Sequence, residues 1–160
     1  MPTQFKQIVE TLSDGGVDYV IIGGVALVAH GSARTTEDID ICYAREPANI
    51  AALAAALAPL HPTLRGAPKD LPFRIDVPTL KAGLNFTLDT DLGPVDLLGE
   101  VTGVGGYSEV ARDAEQVELY GRRVKLMSLD TLEKAKRAAG RRKDLLDLAE
   151  IAEIRARRPK

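Results

Sequence analysis

An apolar run, Tyr19-Val20-Ile21-Ile22, stops on two consecutive glycines, Gly23 and Gly24, and a second apolar stretch follows at once from Val25 to His30. The β-branched and aromatic run reads as a strand, the glycine pair as a tight turn, and Val25 to His30 as a short helix closed by Gly31. A strand feeding a helix through glycine points to α/β construction. The same turn exposes unpaired backbone N–H groups at a helix N-terminus, where phosphate oxygens are attracted. Taken alone, a glycine pair after a strand is more often only a turn.

The polar segment Ser32 to Glu37 reads as a loop that delivers a second strand, Asp38 to Tyr43. Side chains alternate along a strand, so Asp38, Asp40 and Cys42 share one face while Ile39, Ile41 and Tyr43 share the other, an acidic face against an apolar one. Two residues of strand span about 6.6 Å, which lets two carboxylates converge on cations that sit about 3.5–4 Å apart in two-metal sites. A third acid, Asp96, stands inside the apolar run Val95-Asp96-Leu97-Leu98. Acids also alternate on solvent faces of many strands, and Asp96 alone is equally an exposed acid on an edge strand. The glycine pair, the Asp-x-Asp strand and the later strand acid within one short chain are much less expected by chance.

The remaining pattern supplies helices and further strands. Phe5, Ile8, Val9 and Leu12 fall at helical spacing before Gly15-Gly16, and Pro47 opens a helix that Ala51 to Leu57 continue. Five prolines between Pro59 and Pro78 predict a long irregular connection, either a binding loop or disordered. Leu84 to Leu88 and Val95 to Leu98 form a hairpin around the turn-rich Asp89–Pro94. Val117–Tyr120 and Val124–Met127 form another around Gly121-Arg122-Arg123. Ser128 caps a helix that runs through Ala139, Gly140 breaks it, and a last amphipathic helix covers about Lys143 to Ala156. The expected fold class is therefore α/β: a mixed, partly antiparallel sheet flanked by helices, ending in a short helical pair. No linker is visible, which predicts one domain over residues 1–160, with an α/β core at 1–127 and helices at 128–160.

Composition bounds the alternatives. A chain of 160 residues buries about 68–70% of its unfolded surface and needs no disulfides, and its one cysteine, Cys42, builds neither a bridge nor a thiolate cage. The opening residues lack a basic stretch leading into an apolar run, so the expected location is the cytoplasm. Val17 to Val28 and Ile50 to Leu60 fall short of the ~20 apolar residues of a membrane span, so no membrane is expected as a partner. The net charge of −2 divides unevenly: residues 122–160 hold 13 Lys and Arg against 6 Asp and Glu, or +7, leaving −9 for the rest. A basic tail suits polyphosphate or nucleic acid, although helices with interspersed charge are more often solvated surface. No aromatic residues interleave with these charges, which argues against base stacking.

The series Gly23, Gly24, Asp38, Asp40 and Asp96 resembles the nucleotidyltransferases of the DNA polymerase beta superfamily. More narrowly, Ile21-Ile22-Gly23-Gly24-Val25-Ala26 through His30-Gly31, with Arg34-Thr35-Thr36-Glu37-Asp38-Ile39-Asp40, looks like the AbiEii/AbiGii-type toxins and their small stand-alone relatives. Leu132 to Arg137 and Arg141-Arg142-Lys143-Asp144-Leu145-Leu146-Asp147-Leu148 are similar to that group's helical lysine and Arg-Asp-x-x-Asp-Leu signature. The likeness spans about Val17 to Leu148. It departs where members often place Ser after the first glycine; here Gly24 and apolar Val25 leave phosphate contact to backbone N–H groups. The spacing from Lys136 to Asp144 is also shorter than in larger toxins, so Lys134, Lys136 and Lys143 all compete for the cation's place, with Lys136 preferred.

The resemblance implies transfer of a nucleoside monophosphate from a nucleoside triphosphate to a hydroxyl. It assigns Asp38, Asp40 and Asp96 to catalysis and to Mg²⁺ or Mn²⁺, and Gly23, Gly24, Arg34, Thr36 and Lys136 to the nucleotide. Arg34 has a plainer reading as an ion pair with Glu37 or Asp38, and Lys136 as an exposed helix lysine. The acceptor stays open among an RNA or tRNA end, a protein and a small molecule. A cognate antitoxin or toxin partner, or self-association, would complete a site that so small a chain leaves open on one side. The rival classes are a nucleotide-binding regulatory protein without turnover and an antitoxin-type partner protein; the three intact carboxylates favour an enzyme.

Overall fold

The structure is a computed structural model that describes residues 2–68 and 70–158. The chain runs through α1 (Phe5–Asp14), β1 (Tyr19–Ile22), α2 (Gly23–His30), β2 (Ile39–Tyr43), α3 (Pro47–Leu57), a 3-10 turn at Ala58–Leu60, β3 (Thr63–Leu64), α4 (Val77–Ala82), β4 (Asn85–Thr90) and β5 (Gly93–Leu98). It continues through β6 (Glu100–Val101), β7 (Gly105–Gly106), α5 (Tyr107–Ala111), β8 (Glu115–Leu119), β9 (Arg122–Leu126), α6 (Leu129–Ala139) and α7 (Arg142–Arg157).

Seven strands form a mixed sheet in the order β3-β4-β5-β2-β1-β9-β8, and β6 and β7 pair separately. The pairs β1–β9 and β2–β5 are parallel, whereas β1–β2, β3–β4, β4–β5 and β8–β9 are antiparallel. The expected mixed α/β sheet with a C-terminal helical pair is what the chain forms. Ile21, Ile39, Ile41, Tyr43, Leu88 and Leu97 from the strands are fully buried with Ile8, Leu12, Leu53 and Leu57 from α1 and α3. Each such side chain contributes roughly 1.5–3 kcal/mol on leaving water. In α3 the buried set Ile50, Leu53, Ala54 and Leu57 follows the i, i+3, i+4, i+7 spacing that lays one helix face on the core. Asn49 on the same helix fastens β1 to β2: its Oδ1 accepts from Asp18 N–H at 2.7 Å, and its Nδ2 donates to the carbonyls of Asp18 and Ala44 at 3.0 and 2.7 Å.

Three expectations are corrected. The proline-rich stretch is not uniformly irregular: β3 pairs with β4, and Asp76 caps α4 by accepting from Thr79 N–H at 2.9 Å, with Pro78 in the first turn where its missing N–H is harmless. The last hairpin turns on Tyr120 and Gly121, both at positive φ (54° and 77°), so that Arg122 and Arg123 belong to β9. Two adjacent positive-φ residues match the right-handed twist of paired strands, a demand that sequence spacing alone did not locate. On β2 the acidic face ends at Asp40, for Cys42 two residues on is completely buried. Burial first, then the Glu109 carboxylate on α5, push its thiol up to about 12, which leaves it an inert core residue.

Among the described residues no helix is long and apolar enough to cross a membrane.

Candidate active site

Sheet register assembles the acids. Asp40 lies on the central strand, opposite Ile22 of β1 on one side and opposite Asp96 of β5 on the other. Parallel pairing in this register puts both side chains on the same face of the sheet. Asp38 stands one residue before β2, and carboxylate oxygens of Asp38, Asp40 and Asp96 all lie within 4.8 Å of one another.

The glycine turn fits against them. Gly23 has φ +68°, a left-handed conformation that redirects the chain from β1 into α2, and a Cβ there would overlap the Asp40 carboxylate. Gly24 passes under Thr36, where a Cβ would stand 2.9 Å from Thr36 Oγ1. Gly23 is therefore required by the turn as well as by close approach, whereas at Gly24 only the contact with the Thr36 side chain opposes a Cβ.

A cavity of about 650 Å³ opens over the acids. Gly23, Asp38, Asp40 and Asp96 line one side; Lys136, Arg141 and Lys143 from the α6–α7 end line another, with apolar contributions from Phe86, Leu98, Val101, Leu132 and Ala135. Of the residues assigned from sequence, the structure thus brings together Gly23, Asp38, Asp40, Asp96 and Lys136. Gly24, Arg34 and Thr36 are not among the lining residues. Lys143 lines the cavity and Lys134 does not, so two of the three competing lysines share it.

Arg34 is engaged elsewhere. Its guanidinium pairs with Asp147 and, at 2.9 Å, with Glu150, both on α7, rather than with Glu37 or Asp38. Burial disfavours its charge, but the hydrogen bonds it donates to Asp147 and Glu150 outweigh that and raise its pKa. Lys136 Nζ sits 2.9 Å from Asp147 and 3.5 Å from Asp144. It is therefore a largely buried, paired lysine that still reaches the cavity. Asp144 is completely buried, and the Arg141 side chain, hydrogen-bonded to it at 2.7 Å, holds its carboxyl down to about 2.

One contact lies outside the expectations drawn from the sequence. Arg65, just past β3, donates to Asp96 at 2.8 Å and to Asp89 at 3.2 Å, and its Nη2 also reaches the Leu88 carbonyl at 2.7 Å. It comes from the proline-rich stretch, and only the β3–β4 pairing carries it to the site. The short Thr63-Leu64 run before Gly66 was the available hint.

The acids are under electrostatic stress. Burial first, then the charges of Asp96 and Asp38, push the Asp40 carboxyl up to about 7, with Lys136 acting in the opposite sense. Asp40 Oδ1 is buried and has no hydrogen-bond partner among the described residues. Three converging carboxylates with a buried, unpartnered oxygen are a donor set that fits a hard divalent cation such as Mg²⁺ or Mn²⁺.

The same arrangement of strands and helices occurs in solved structures. LnuA, a lincosamide antibiotic adenylyltransferase solved with lincomycin, superposes with TM-score 0.60 over 96% of this chain and 98% of its own at 14% identity. The chain has the nucleotidyltransferase fold. TM1012 of Thermotoga maritima, to which nucleotidyltransferase activity is ascribed, matches with TM-score 0.58 at 15% identity over 93% of this chain and 90% of its own. The antibiotic-resistance factor ANT(2'')-Ia matches with TM-score 0.57 at 15% identity over 96% and 88%. No family model and no curated protein matches the sequence. The nucleotidyltransferase fold is thus shared across a sequence divergence at which only architecture is comparable.

Proposed function

We propose that this protein is a metal-dependent nucleotidyltransferase that moves a nucleoside monophosphate from a nucleoside triphosphate to a hydroxyl acceptor. The observation that carries the reading is the meeting of Asp38, Asp40 and Asp96 around a buried, unpartnered carboxylate oxygen at the mouth of the glycine turn. Asp38, Asp40 and Asp96 would hold the ion, which when bound supplies neutralisation of the triphosphate and acidification of the attacking hydroxyl. In the transfer a bond forms between the acceptor oxygen and the α-phosphorus, the bond to pyrophosphate breaks, and Asp96 helps take the hydroxyl proton. Backbone N–H groups at the start of α2 would take phosphate oxygens, a reading supported by Gly23 lining the cavity. Lys136 and Lys143 would take up charge on the departing pyrophosphate.

The cavity also bears on the acceptor. Beyond the three carboxylates its charged lining is Lys136, Arg141 and Lys143, all cationic. Lys136 and Arg141 are already paired with Asp147 and Asp144, so the reading of an anionic acceptor such as an RNA end rests on Lys143 and on the basic charge of residues 122–160. The sequence likeness to AbiEii/AbiGii-type toxins supports a toxin–antitoxin or phage-defence setting with a cognate partner protein.

The test is incubation of the protein with each α-labelled triphosphate, Mg²⁺ and separated RNA, protein and small-molecule fractions of a cell extract. Label entering the RNA fraction, lost with Asp40→Asn, is the expected result. Nucleotide binding without labelling of any fraction would replace the enzyme with a nucleotide-binding regulator.

A further inference from the structure

The segment between α2 and β2 ends at Asp38, and α7 is fastened along it. Arg158, just past α7, donates to Nδ1 of buried His30 at 2.7 Å, while the His30 Nε2 lies 2.7 Å from the Met127 carbonyl. Arg157 reaches the Gly31 carbonyl at 3.4 Å, Glu150 accepts from the Ser32 hydroxyl, and Glu150 and Asp147 together hold the Arg34 guanidinium. Asp147 is the junction: its other oxygen receives Lys136 Nζ at 2.9 Å, so one nearly buried carboxylate ties Arg34 in the loop to a lysine of the cavity.

We propose that Arg34 and Asp147 are positioning residues, through which α7 sets both the loop that delivers Asp38 and the reach of Lys136 into the cavity. The inference rests on the metal and nucleotide reading of the cavity given above. It reassigns Arg34 from the nucleotide to the support of a metal ligand. Arg34 lies outside the cavity lining, and its Nε and Nη2 are occupied by Glu150 and Asp147, Nε donating to Glu150 at 3.1 Å. A planar guanidinium can hold two carboxylates of one helix face at once, which fixes its backbone relative to α7 in a way a solvated side chain does not. Direct hydrogen-bond partners of metal ligands typically change metal affinity 10–100-fold when removed, and Arg34, which acts on Asp38 through the loop, is expected at the lower end of that range.

The test compares wild type with Arg34→Gln, Arg34→Lys and Asp147→Asn. Mn²⁺ binding is measured by electron paramagnetic resonance without nucleotide, nucleotide binding at saturating Mn²⁺ by calorimetry, and exchange of the 31–38 amides by hydrogen–deuterium mass spectrometry. Gln keeps a hydrogen-bond donor, and Lys136 still accompanies Asp147, so the fold should persist in Arg34→Gln. The expected result is about a tenfold or greater loss of Mn²⁺ affinity in Arg34→Gln, a smaller loss in Arg34→Lys, whose ammonium keeps the charge but not the fork that holds both carboxylates, and faster exchange at 31–38 while α7 stays protected. In Asp147→Asn both Mn²⁺ and nucleotide binding should weaken. Unchanged Mn²⁺ affinity with a loss confined to nucleotide binding would overturn the inference and return Arg34 to the nucleotide. Wild type that binds Mn²⁺ without turnover would overturn the enzymatic reading alone. Wild type that binds no Mn²⁺ would overturn the metal reading, and the exchange of residues 31–38 would then decide the role of Arg34, unchanged exchange in Arg34→Gln counting against it.

Discussion

Asp40 and Asp96 face each other as Cα partners across the parallel pair β2–β5, although α3, the proline-rich segment and β4 separate them in the chain. Backbone pairing keeps the two side chains side by side, and since Arg65 already partners Asp96, the buried Oδ1 of Asp40 is the atom left to a proton or a cation.

That choice predicts a pH dependence. The Asp40 carboxyl is raised from the ordinary 3.8 to about 7, so between these values the folded protein keeps a proton that the unfolded chain has released. Stability from this group is therefore full below about pH 4 and falls as pH rises toward 7, by at most roughly 4 kcal/mol. Thermal melts without metal should show wild type and Asp40→Asn alike at pH 4, with the variant more stable at pH 8. Mn²⁺ should raise the wild-type Tm at pH 8 and leave that of Asp40→Asn unchanged. Equal melts at pH 8 would mean that Asp40 carries no such burden.

Gly23 is predicted to tolerate no side chain. In Gly23→Ala the new Cβ would overlap the Asp40 carboxylate in a left-handed backbone conformation, which costs about 1–3 kcal/mol from the backbone alone. Chemical denaturation should show that loss, and Mn²⁺ titration should show weakened binding as Asp40 is displaced. A variant with unchanged stability would contradict the tight contact.

Asn49→Ala tests the fastening of β1 to β2 at the end remote from the acids. Its loss leaves the polar backbone groups of Asp18 and Ala44 without their side-chain partners, at about 1–3 kcal/mol for each group that water cannot reach. Urea unfolding is expected to report a drop in midpoint with little change in slope.

Lys143 is an exposed cation of the cavity wall, whereas Arg141 is occupied with Asp144. Lys143→Ala should therefore weaken RNA binding without harming the fold, and should reduce the slope of log affinity against log salt by about 0.7–0.9 if it meets one phosphate. An unchanged slope would assign it to solvated surface.

Much of the centre of this molecule was legible because its signals are local. The glycine pair, the Asp-x-Asp alternation and the acid within Val95–Leu98 each express a backbone period or a turn requirement, and the sheet places them where those periods direct. What was not legible depends on partners far away in sequence. Arg34 is written into a loop, but its partners Asp147 and Glu150 lie on the last helix. Arg65 follows a two-residue edge strand paired with β4, too short to show a period. The Tyr120-Gly121 turn was misplaced because a tyrosine at positive φ carries no compositional warning.

The parallel pairing of β2 with β5 also orders events in time. A chain emerging from the ribosome presents the glycine turn and the Asp38–Asp40 strand well before Asp96 exists to face them, and the strand between is completed only when β4 and β5 have closed their hairpin. The three-carboxylate cluster is thus a property of the finished sheet and of no fragment that ends before β5.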